Sequence, residues 1–167
     1  ANSLLTQNES IQVVGGDSSG EIEYFLLSLD DGLWVGVGSD HTDRKVETYN
    51  IAVSKQMCAK PVAADLWLFE EISEHWDRLR LKSEAVIAGN REPYQQGTLA
   101  DMRTPDDLIG RYRPDGRLPV GTLMYCGTLV VDGGVRPGEA FSIELHDPVL
   151  NRTISHNYAI SALPEEE

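Results

Sequence analysis

The chain is short of positive charge: 14 Lys and Arg stand against 27 Asp and Glu over 167 residues, a formal net charge of −13. Nucleic-acid partners demand clustered basic residues to neutralise phosphates, so this balance argues against them. Long apolar runs are missing too. No eighteen-residue apolar window occurs and no basic, apolar leader opens the chain, which reads as neither membrane-spanning nor exported and therefore cytoplasmic. Cysteine is scarce. In a cytosolic setting Cys58 and Cys126 are expected to stay reduced. Cys126, between Tyr125 and Gly127, suits a small buried residue. Cys58 has Lys55 and Lys60 nearby but no adjacent His to act as base, which disfavours thiol catalysis. Repeats, low-complexity linkers and breaks in composition are also absent, so residues 1–167 read as one domain, long enough to bury roughly two-thirds of its unfolded surface.

What is present is an ordered set of acidic residues. Glu21 and Glu23 flank Ile22 in an apolar run, and Asp40 follows in Ser39-Asp40-His41-Thr42-Asp43-Arg44. Residues two apart on a strand share a face, so the two glutamates would aim their carboxylates at one spot. Such a pair repels itself unless a hard cation intervenes, and Asp40 offers a third oxygen ligand. On spacing alone, a solvated polar strand face stands as the competing reading.

Around this cluster the sequence is rich in short β segments. Residues 11–14, 22–29, 33–37, 123–128, 141–145 and 154–160 are predicted strands, with turns at Gly15-Gly16 and at Asp30-Asp31-Gly32, the latter a tight hairpin. Leu66, Phe69, Ile72 and Trp76 recur at helical steps and predict a helix over 64–78. Thr104 as N-cap and Pro105 at the first helical position predict a second, short helix ending near Tyr112. The tail from Pro164 to Glu167 reads as a solvated charge run.

The order of motifs resembles the fumarylacetoacetate hydrolase superfamily. Glu21-Ile22-Glu23 matches its metal strand, Asp40 its metal aspartate, Arg44 its motif arginine and Lys60 its active-site lysine, with Lys55 the competing candidate. Gln96-Gly97-Thr98 is similar to its Gln-x-Gly-Asn-Thr segment. Leu118 to Thr128 is similar to its Pro-Gly-Asp…Thr-Gly-Thr signature, and Val135 to Glu139 to the motif opening the last strands. The departures are equally specific. Sixteen residues separate Glu23 from Asp40 where the family has about thirty including a helix. Ser39 replaces the Asn before the metal aspartate, and Leu129 replaces a Pro. The family's upstream segment, which often carries a His-Glu pair on a lid, has no counterpart here, so a general base located there is expected to lie outside this sequence. More narrowly, 37–62 resembles a bacterial branch catalogued as a domain of unknown function.

The resemblance implies a predominantly β fold, a mixed roll or sandwich with a few short helices. It also implies Mg²⁺ or Mn²⁺ held by Glu21, Glu23 and Asp40, and a small 2-oxo carboxylate as substrate. Chelation of that substrate would stabilise an enolate, the intermediate shared by C–C hydrolysis, decarboxylation and keto–enol isomerisation. Lys60, Gln96 and Thr128 would hold the anion. His41 stands either as general acid or base, since an imidazole titrates near neutral pH, or as a support behind the ligands. A homodimer is implied, with the Trp67 and Trp76 helix face as a contact. A non-catalytic metal- or ligand-binding protein of the same fold is the alternative function.

Overall fold

A computed structural model describes residues 1–165. Glu166 and Glu167 of the predicted charge run lie outside the described residues. The fold is two packed sheets. One is four-stranded and antiparallel, in the order Leu123–Thr128, Ile22–Leu29, Gly32–Ser39 and Trp67–Leu68. The other is five-stranded, in the order Asn90–Thr98, Arg80–Ile87, Ala140–Asp147, Arg152–Leu163 and Ser10–Val14, and its last pair is parallel.

Period-two alternation decides what each face of the first sheet does. Ile22, Tyr24 and Leu26 point inward and form the main core with Val35, Val37, Leu79, Leu81, Ile143, Leu145 and Ile154. Glu23, Phe25 and Leu27 therefore point to the opposite face. The strand Ile22–Leu29 is buried on both sides along most of its length, so Glu23 ends in protein and not in solvent, while Glu21, just before the strand, is half-buried.

The predicted hairpin forms as expected. Leu29 pairs with Gly32 across a two-residue loop, and the register runs back to Glu23 opposite Gly38 and Ile22 opposite Ser39. The predicted helix over 64–78 is broken up. Trp67 and Leu68 join the sheet edge against Val35 and Trp34, and only Phe69–Ile72 is α-helical. A 3₁₀ segment, Ser73–Arg78, follows, with His75 outside helical geometry at φ −127, ψ 26. Trp67 and Trp76 are both buried in the chain's own core, so the expected dimer contact through them is corrected: neither is available to a partner. The helix Pro105–Tyr112 forms with Thr104 as its N-cap. Both cysteines are buried and free.

Candidate metal centre

The hairpin brings the three expected carboxylates together. The Asp40 amide donates to the Glu21 carbonyl at 2.9 Å, which locks the end of the return strand beside the start of the outgoing one. As a result, carboxylate oxygens of Glu21, Glu23 and Asp40 all lie within 4.8 Å of one another. Shortening the connection to a two-residue loop costs the centre nothing, because strand pairing alone delivers Asp40 to Glu21.

Three cations surround this cluster. Lys55, on the helix Ile51–Gln56, donates to Glu21 at 2.9 Å and to Asp40 at 2.6 Å. Lys60 reaches the other Asp40 oxygen at 2.9 Å and the His41 carbonyl at 2.5 Å. Arg44 donates at 2.8 Å to both Glu21 and Glu47. Burial by itself would raise the Asp40 carboxyl, but the hydrogen bond from Lys55 and the charge of Lys60 hold it below the usual range. Lys55 is likewise kept charged: burial opposes it, and its bonds to Asp40 and Glu21 more than offset that.

Glu23 has no such cation against it. Its one strong partner is the Gly127 amide, which donates at 2.7 Å. Gly127 has φ +91, a backbone conformation that side-chain-bearing residues rarely adopt, and this is what turns its N–H toward the carboxylate. Burial, and then the nearby charge of Asp40, push the Glu23 carboxyl up to about 8. A carboxyl forced to keep its proton beside the carboxylates of Asp40 and Glu21 is short of positive charge. That shortage, together with a donor set made of hard oxygens, fits a divalent cation such as Mg²⁺ or Mn²⁺.

The other expected residues divide. His41 sits behind the cluster, not in it. Its ring is fully buried, with Nδ1 3.1 Å from the Tyr158 hydroxyl and Nε2 3.0 Å from Ser18 Oγ. Tyr158 donates onward to Ser39 at 2.8 Å, which assigns the imidazole proton to Nδ1 and leaves Nε2 to accept from Ser18. Burial, with Lys60 and Arg44 close by, depresses its pKa to about 3 and keeps the ring neutral, so of the two roles expected of His41 the geometry favours buttressing the loop that carries Asp40.

Gln96 is exposed and faces away. A bulge between Pro93 and Gln95 shifts the register, and Gln95 is the glutamine turned inward. Gln95 accepts from the Ile22 amide at 3.1 Å and donates to Thr128 Oγ1 at 2.7 Å. Thr128 in turn donates to the Ile22 carbonyl at 2.6 Å. This pair grips the backbone between the two glutamates, so the Thr128 hydroxyl is engaged by the metal strand itself. The inward glutamine was not readable from the sequence, where Gln95 and Gln96 are adjacent and only the bulge separates their roles. Tyr125 had no sequence signal of its own, and Gly127 entered only as the glycine of the Leu118–Thr128 signature, with no role for its amide.

A cleft of about 510 Å³ opens beside the cluster, with Asp40, Lys55 and Lys60 at its charged end and Leu5, Leu27, Leu123 and Tyr125 along its apolar wall.

Solved structures share this architecture. The crystal structure of Cg1458 superposes with a TM-score of 0.70 at 16% identity, over 96% of this chain and 67% of that one. 2-keto-3-deoxyarabinonate dehydratase gives 0.67 at 17%, over 95% of this chain and 57% of that one. The same enzyme complexed with magnesium and 2,5-dioxopentanoate gives 0.67 at 17%, over 95% and 59%. This chain thus spans less than two-thirds of the dehydratase's length. These likenesses define a fumarylacetoacetate hydrolase-like, mostly β fold. Within that class the chain belongs to DUF2848, described as a protein of unknown function, whose profile matches residues 1–158. No curated protein matches the sequence.

Proposed function

We propose that this chain is the metal-binding part of a Mg²⁺- or Mn²⁺-dependent enzyme acting on a small 2-oxo or dioxo carboxylate, with Glu21, Glu23 and Asp40 as the protein ligands. The carrying observation is the convergence of three carboxylates, of which Asp40 lines a cleft and Glu23 is left without a cation partner. A divalent ion bound there would supply a Lewis acid that chelates adjacent carboxylate and keto oxygens and stabilises developing enolate charge. That chemistry is common to a C–C hydrolase, a decarboxylase and a keto–enol isomerase. The magnesium and 2,5-dioxopentanoate complex of a structural neighbour supports this ligand class.

The chain's own charges favour an anionic ligand. Glu21, Glu23, Asp40 and Glu47 carry four negative charges when ionised, against three positive ones from Lys55, Lys60 and Arg44. A bound divalent ion leaves one positive charge over, which a chelating carboxylate neutralises. Lys55 and Lys60 are the cations that line the cleft, and they orient the ligand's carboxylate. Gln95 and Thr128 keep the metal strand's backbone fixed, and the leucine wall excludes water from one side.

A second reading is a protein of this fold that binds metal and ligand without turnover. It is favoured by the sequestration of His41, which leaves no histidine lining the cleft among the described residues. Mg²⁺ at a hundredfold excess over its dissociation constant is expected to stabilise the fold by about 2.7 kcal/mol, and Glu23→Gln to abolish that gain. An unchanged thermal response in the variant would overturn the ligand set. Metal-dependent loss of oxaloacetate or acylpyruvate absorbance selects the enzyme. Stabilisation by oxalate without turnover selects the binding protein.

A further inference from the structure

Tyr125 is the one cleft-wall residue whose polar atom is buried and unmatched. Its hydroxyl has no hydrogen-bond partner among the described residues, which for a buried donor is a standing penalty. The placement is held from several sides. Tyr125 pairs with Phe25 across the sheet, and the two rings meet edge-on with centroids 6.1 Å apart at 63°. From that strand the phenol reaches across to the return strand at Gly38, the residue directly opposite Glu23. A Cβ at Gly38 would lie 2.8 Å from the hydroxyl oxygen and 3.0 Å from the Pro61 carbonyl, so the glycine is what leaves room for the phenol to end there. The ring lies on the cleft wall with Asp40, Lys55 and Lys60 at the near end. Burial, and then the charges of Asp40 and Glu23, keep the phenol protonated, so the atom presented there is a donor.

We infer that the Tyr125 hydroxyl is a ligand-reading donor, held over the carboxylate cluster by the gap at Gly38, that hydrogen-bonds an oxygen of the chelated oxo-carboxylate. The inference rests on the reading of the site given above, and it adds a contact that none of the acidic or basic groups supplies. A carboxylate or keto oxygen accepts from it, whereas an ammonium or an apolar head would leave the donor unpaired. The site therefore discriminates by the donor as well as by charge.

The probe is oxalate, titrated by calorimetry into protein saturated with Mg²⁺, using Tyr125→Phe and Tyr125→Leu. Because the hydroxyl has no partner in the ligand-free chain, Tyr125→Phe is expected to melt at the same temperature or higher. Mg²⁺ affinity should stay within about twofold, and oxalate affinity should fall on the order of tenfold or more, the scale of a hydrogen bond to a charged group. Tyr125→Leu should lose at least as much. Oxalate affinity unchanged in Tyr125→Phe, with Mg²⁺ bound normally, overturns the donor role and leaves the metal centre standing. Loss in Tyr125→Leu alone does the same, because it assigns the effect to ring packing. Failure of the unmutated protein to bind Mg²⁺ would instead remove the metal reading, and this inference with it.

Discussion

Glu23 carries an unusual burden for one side chain. It lies on the outward face of a central strand yet is buried, and its partner is an amide and not a cation. Its carboxyl titrates near 8 in the folded chain against an ordinary 4.5. Between those values the folded state holds a proton that the unfolded state has released, so metal-free stability must fall as pH rises from about 5 to 8. Thermal melts in chelator across that window are expected to show the decline, and Glu23→Gln to flatten it. A metal-free melting temperature that rises over the same range would contradict the burial argument. The glutamate pair was legible because two residues flanking one on extended backbone share a face, and Asp40 because of its place in the order of motifs. The glutamine was not, since one bulge exchanges Gln95 for Gln96 without leaving a mark in residue order. For His41 the sequence left two roles open, and the backbone separates them. Its neighbour Asp40 belongs to the centre, but adjacent residues on extended backbone point opposite ways, and the imidazole ends at Ser18 and Tyr158.

Among the elements, those fixed by local chemistry were the most readable. Thr104 accepts from the Asp107 amide at 3.3 Å and Pro105 opens the helix Pro105–Tyr112, as their residue types require. Thr104→Ala should cost about 1 kcal/mol, read as a shift in the denaturation midpoint with unchanged slope. A loss within a few tenths would mean that packing of Ile109, not the cap, holds this helix. The longer helix predicted over 64–78 failed because its apolar spacing served two different environments. Trp67 reaches the core from the sheet edge, Phe69 and Ile72 from one α-helical turn, and Trp76 from a kinked 3₁₀ segment. The short helices Arg44–Glu47 and Ile51–Gln56 had no periodicity to betray them. Each is announced only by a capping side chain, Asp43 Oδ1 accepting from Val46 and Asn50 Oδ1 from Val53. The second of them delivers Lys55, which is why that lysine was a competitor to Lys60 and not the expected partner of both Glu21 and Asp40.

At the scale of the whole molecule, no helix among the described residues is long and apolar enough to cross a membrane. The large apolar side chains left exposed beside the centre are Tyr49, Ile51, Val53 and Met57, around the helix that carries Lys55. We expect a two-fold dimer, and with Trp67 and Trp76 interior, this surface is where it would close. Sedimentation at micromolar concentration should give a particle of twice 18.5 kDa, and Ile51→Lys should return it to a monomer. A monomer from the unaltered chain removes the dimer.

The hairpin that joins Glu23 to Asp40 also has a bearing on the order in which the chain assembles. Every charged group of the centre comes from between positions 21 and 60, whereas the five-stranded sheet must bring Ser10–Val14 alongside Arg152–Leu163, nearly the full chain apart. Closing a two-residue loop takes little entropy and closing the sheet takes far more, so the carboxylates can meet before the termini do. An ion captured by that early hairpin would lower the barrier to folding itself, and Mg²⁺ would then speed the refolding limb instead of only slowing the unfolding one.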